Sequence, residues 1–221
     1  MSKTLEPPVT LDVLPVRPAP RLLSAAGIAA GPLFLVAGLA QGLTRDGFDF
    51  ARNALSQLSL GTSGWIQVTV FLLTGLLVIG GAIAIRQQLR DRPGGTWAPR
   101  LLGVFGASFL LAGAFRADPG AGFPAGTPED RVASLSAHGT VHMLAGMVGY
   151  LALCAAFLVL ARHFGARQQR GWALAARLLP VGVVAGFAAS ATSVAAFTAG
   201  AGLGLLGLSV VTARLTLPAY R

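Results

Sequence analysis

Positions 136–161 read SAHGTVHMLAGMVGYLALCAAFLVLA, a stretch without one Asp, Glu, Lys or Arg. A hydrocarbon core of about 30 Å is crossed by a helix of about 20 apolar residues. The stretch is therefore a membrane-spanning helix. Its strongest polar groups are His138 and His142, four residues apart and so on one helical face. Polar side chains at bilayer depth need partners and point to a site.

The rest of the chain agrees. Of 221 residues, 54% are hydrophobic and 11% charged, whereas soluble domains run near a quarter charged. Further apolar runs predict spans at about 22–43, 63–85, 97–115, 173–196 and 198–218, which with 136–161 make six. The expected fold is all-α: a polytopic bundle of six spans in one transmembrane domain, 22–218. Residues 1–21 hold five prolines and little to bury, and read as a disordered cytoplasmic tail. The last run starts Gly-rich (Gly200, Gly202, Gly204, Gly207) and carries Arg214, expected to snorkel at its end. Gly27–Gly31 and Gly182–Gly186 are spaced for close helix approach, and Pro180 is expected to kink the fifth helix.

Charge sets the expected orientation. With both termini cytoplasmic, thirteen of the seventeen basic residues lie inside; Arg45, Arg52, Arg116 and Arg131 remain outside. Trp65, Trp97 and Trp172 each fall at an interface. The net charge of +9 is spread over the ends of apolar runs, not gathered on one face, which argues against nucleic acid. Cys154, the lone cysteine, excludes an intrachain disulfide.

Two outer loops carry the polar motifs. In 44–62, TRDGFDFARNALSQLSLGT, Asp49 is placed to cap a short amphipathic helix with Phe50, Ala54, Leu55 and Leu58 on one face. Its polar groups would be Arg52, Asn53, Ser56 and Ser59. In the second loop, Asp118-Pro119-Gly120 and Gly122-Phe123-Pro124 set turns. Thr127-Pro128-Glu129-Asp130 has the make-up of a helix start, so the fourth helix is expected to begin there. Arg131, Leu135, His138 and His142 would then share a face.

The strings ARNALSQLSLG (51–61), FRADPGAGFP (115–124) and SAHGTVHMLAG (136–146) together resemble a bacterial six-helix membrane family catalogued as domain of unknown function 998. The resemblance covers roughly 27–196 and carries over to Ser56, Leu58 and Gly61, then to Asp118, Gly122, Phe123, Pro124, His138 and His142. It departs near the end, where relatives have an aromatic and basic connector and this chain has Gly202-Leu203-Gly204-Leu205-Leu206-Gly207. It implies a multi-pass protein of the bacterial cytoplasmic membrane and no particular chemistry.

The residues themselves leave two readings of the histidines. Either both are neutral and hydrogen-bonded to neighbouring helices or loop carbonyls, or His138 and His142 join a carboxylate in an open zinc site. Asp118 is the foremost carboxylate, with Asp46 and Asp49 as others. Haem is disfavoured because paired axial ligands approach opposite faces of a porphyrin, and these two project from one helix. Ligand-binding candidates are Arg52, Asn53, Ser56, Arg116 and Asp118; metal candidates are His138, His142 and Asp118. The expected function is an extracytoplasmic polar pocket that binds or helps move a small or lipid-like molecule. The alternative is a metal-dependent hydrolase at the outer leaflet. With no acid inside a span and no inverted repeat, a channel or secondary transporter fits poorly. The bilayer is the one partner the sequence implies; protein partners leave no signal.

Overall fold

A computed structural model describes residues 19–131 and 134–217. Six helices follow in order: α1 (Ala19–Thr44), α2 (Gly64–Gln88), α3 (Trp97–Ala114), α4 (Ala137–Ala166), α5 (Arg170–Ala188) and α6 (Val194–Thr216). All six are long and apolar enough to cross a membrane. The tail expected at 1–21 lies outside the described residues up to 18, and from Ala19 the chain is already helical.

Each helix packs on the next in chain order, and α6 returns against α1. The helices are apolar on both faces, as membrane spans must be. Large side chains such as Leu72 and Leu76 on α2, Leu144 and Val148 on α4, and Val181 on α5 face outward. Small and polar residues lie inside together with large apolar ones such as Phe105, Phe157 and Leu160. A Cβ on Gly27 would sit 2.6 Å from the Cα of Gly81 on α2, and one on Gly31 would sit 2.6 Å from the Leu205 carbonyl on α6. One glycine pair thus serves two neighbours. Gly186 meets Gly200 in the same way, at 2.7 Å. The Gly-rich start of α6 is therefore the close-approach surface for α5, and the sixth span is a helix of 23 residues. Near one end, Gln41 of α1 donates to Gln67 of α2 at 2.7 Å, both side chains buried.

Three local expectations are corrected. The break between the last two spans comes earlier than 196–198. Ser193 accepts from the Ala196 amide, which starts α6 at Val194, after a single 3-10 turn at Ala189–Ala191. A serine N-cap prevails here over apolar continuity. The helix expected from Phe50 is only a 3-10 turn, Leu55–Ser59. Asp49 does cap locally, its Oδ1 accepting from Ala51, but Asn53 turns its amide to the second loop instead of continuing the helix. Finally, 127–130 does not start α4. Arg131 donates to the Pro128 carbonyl, and the amides of Ala121 and Gly122 bond to Arg131 and Pro128, so the segment folds back as turns. The fourth helix begins at Ala137, so Arg131 and Leu135 do not continue the histidine face.

Candidate functional site

The end of the bundle where 45–63 and 115–136 cross carries the predicted polar residues. The C-terminus of α3 exposes carbonyls that have no partner within the helix. His142 supplies one: its Nδ1 lies 2.8 Å from the Phe115 oxygen and 3.1 Å from that of Ala112. Both partners are acceptors, so Nδ1 carries a proton and donates. The ring is buried and stands edge-on to Phe71 at 5.7 Å. His138 is exposed and tilts against Phe115 at 5.3 Å. Together the two histidines clasp the end of α3.

The Asp118 carboxylate caps α4 from the second loop. Its Oδ2 accepts from the Ser136 amide at 2.9 Å, while the Ser136 hydroxyl accepts from Gly139. Gly139 lies so close under the carboxylate that any Cβ would overlap it. An anion at a helix N-terminus is favoured by the dipole and the free amides. Asn53 is buried and joins the loops. It accepts from the Asp49 amide and donates to the Gly120 and Ala121 carbonyls at 3.3 and 3.2 Å. Gln57 reaches the Asp118 carbonyl, and Arg52 pairs with Asp49 and Glu129. Arg116 stands exposed and outside this network.

Arg45 is a member that the sequence reading passed over. Its guanidinium donates to the Leu58 and Leu60 carbonyls and lies 5.0 Å over the Phe123 ring. Burial holds its pKa below the ordinary arginine value. The available signal was its place, directly after a span and ahead of two loop aromatics, Phe48 and Phe50.

Beneath the loops is a cavity of about 1260 Å³ that reaches residues of all six helices. A connected set of rings borders it, all of them on its wall except the fully buried Phe105. Phe34 meets Phe71 and Phe109 at 5.2 Å; Phe109 continues to Phe105, Tyr150, Phe187 and Phe197 at spacings of 4.9–5.2 Å. Tyr150 anchors the set by donating to the Ala201 carbonyl. Ser56, Gln57, Arg52, Asp118, Glu129 and Arg131 form the polar mouth, and His142 lies on the wall. One side is incomplete. Helix α4 has 30 residues and α5 only 19, about 45 and 28 Å long. Tyr150 already stacks on Phe187 near the end of α5, so the upper turns of α4 have no α5 beside them. Met143, Met147 and Leu151 on α4 and Val184 on α5 line the cavity while exposed on the bundle surface.

The family profile described as "Protein of unknown function (DUF998)" matches residues 28–219. The chain belongs to the DUF998 family. No curated protein and no solved structure matches it. Of the candidates in this DUF998 chain, Arg52, Ser56, Asp118 and His142 line one cavity, and Asn53 holds its mouth together from behind. His138 and Arg116 are not on the cavity wall. The zinc reading requires a third ligand, and among the described residues no three His, Cys, Asp or Glu side chains gather as a metal-holding group. The rings that dominate the wall left no mark in the sequence, because an inward phenylalanine and a lipid-facing one look alike in an apolar run.

His142→Ala is expected to destabilise the protein by about 1–3 kcal/mol, because it leaves buried carbonyls of α3 without a donor. His138→Ala, at an exposed ring, should change stability by less than about 0.5 kcal/mol. Thermal unfolding of the two variants in one detergent measures the difference; equal losses would contradict the capping role.

Proposed function

We propose that this protein is a membrane binding protein for a lipid-like amphiphile, held in the cavity with its chain against the rings and its headgroup at the loops. The observation that carries the reading is the cavity's division: an apolar interior of all six helices, a mouth of Arg52, Gln57, Asp118 and Arg131, and an incomplete side between α4 and α5. Binding pockets are commonly apolar with a few polar groups that fix orientation. An opening lined by Met143, Met147 and Val184 at bilayer depth would admit an acyl chain without bringing it through water.

We further propose that the loop end faces the cell exterior and both termini face the cytoplasm, in the cytoplasmic membrane. The placement of thirteen of seventeen basic residues supports this orientation. Cysteine introduced at Ala125 should react with an impermeant thiol reagent on intact cells, in a Cys154→Ser background, and cysteine at Ala166 only after lysis. The reverse pattern would invert the orientation.

Cys154 gives a direct test of occupancy, since the chain's one cysteine lines the cavity. Delipidated protein should lose its N-ethylmaleimide reactivity progressively as lysophosphatidylcholine is added. Native mass spectrometry of the same samples should show lysophosphatidylcholine retained on the protein. Unchanged alkylation together with no retained lipid would overturn the proposal.

A further inference from the structure

At the opposite end of the bundle, a second and smaller cavity of about 180 Å³ is lined by Arg92, Arg167 and Arg214 around His163 and Phe164. We infer that these three arginines form a binding site for a phosphate-bearing anion. They arrive from three separate places: the α2–α3 connection, the turn after α4, and the last turn of α6. Among the described residues, none pairs with a carboxylate. The ion pairs present are those of Arg52 with Asp49 and Glu129, and of Arg90 with Asp91. Nor does any of the three guanidinium groups donate to an oxygen there. Like charges gathered at one pocket repel, and an anion that accepts from several guanidinium groups at once relieves that repulsion.

The segments that carry the three arginines are nevertheless held in place. His163 is buried, and its Nδ1 donates to the Pro93 carbonyl at 2.9 Å. That bond fixes the connection carrying Arg92 onto α4. Beyond α4, Gln168 adopts φ 57°, and the Gln169 amide returns to the Phe164 carbonyl, so the turn presents Arg167 at the cavity. Arg214 lies 5.7 Å over the Trp172 ring, which orients it without consuming its N–H groups. Three planar donor forks from different directions suit a tetrahedral oxyanion with several oxygens better than a single carboxylate. The volume suits a phosphate group and leaves no room for acyl chains. The same chemistry is offered by a phospholipid headgroup and by free phosphate. This site shares no residue with the apolar cavity, so either reading can fail without the other.

The test uses the full chain in a neutral detergent. Inorganic phosphate is titrated against chloride at equal ionic strength, by calorimetry and by thermal shift. Dioleoylphosphatidic acid is compared with dioleoylphosphatidylcholine by native mass spectrometry. Binding of phosphate alone identifies a soluble anion as the source; selective binding of phosphatidic acid identifies a headgroup. Arg167→Gln and Arg214→Gln should each weaken binding roughly tenfold, and the triple variant with Arg92→Gln should abolish it. Arg162→Gln removes the same charge from an exposed position off the cavity and should leave binding unchanged. Should the triple variant not fold, Arg167→Gln keeps the test, since Arg167 is exposed. No binding of either probe to the wild type, or equal loss in Arg162→Gln, overturns the inference.

Discussion

Gly146→Trp is expected to yield a folded protein that no longer retains lysophosphatidylcholine. Gly146 lies on the cavity wall within α4, between the lining residues Met143 and Met147. A Cβ built on it meets nothing within 4 Å, so the new side chain has room and that room is the cavity. Glycine inside a helix costs about 0.5–1 kcal/mol relative to alanine, so the replacement removes a small penalty and adds indole contacts with the rings. The melting temperature should stay level or rise while lipid retention falls tenfold or more. Retention equal to wild type in a well-folded variant would count against the cavity as the binding place. The opposing signs of the two readouts separate occlusion from unfolding.

The largest loss of stability is expected from Gly27→Ile. The new Cβ would stand 2.6 Å from the Gly81 Cα and 3.0 Å from Thr212 Cγ2, so it strikes backbone on α2 and a side chain on α6 together. Backbone cannot step aside as a flexible side-chain tip can. Helix α1 must leave one neighbour, at the 1–3 kcal/mol or so typical of overpacking, and more for a β-branched residue of this size. Monodisperse yield and thermal stability should both drop sharply. Gly103→Ile, where a Cβ meets nothing, is the matched control and should be neutral or slightly stabilising. Equal tolerance at both positions would show that α1 and α2 do not approach as described.

These two glycines also show how much of the molecule its sequence discloses. Length and hydropathy locate six helices, because a bilayer fixes the length a span requires. Membership of a face is another matter. Gly27 and Gly103 look the same in the chain, yet one touches backbone and the other touches nothing. The two histidines are conspicuous because polar groups stand out in an apolar run, but their roles depend on where α3 ends. His142 bonds to carbonyls at that end, whereas His138 only rests on the Phe115 ring. Thr127 to Asp130 carries every local mark of a helix start, and it lost to hydrogen bonds with 121 and 122 that no local pattern records. Asn53 reads as a surface residue of an amphipathic turn and is in fact buried, since its partners lie more than sixty positions away in the second loop.

The unequal lengths of α4 and α5 bear on rates as well as on space. A molecule that reached the cavity through the loops would have to undo the Asn53 amide bonds and the Arg52 ion pairs in concert. One that slid in between the upper α4 turns and the end of α5 would break no hydrogen bond of the protein. If the cavity takes up a lipid as proposed, exchange by the second path would be paced by lateral diffusion within the leaflet, and stiffening or softening the bilayer should change it more than any substitution in the loops.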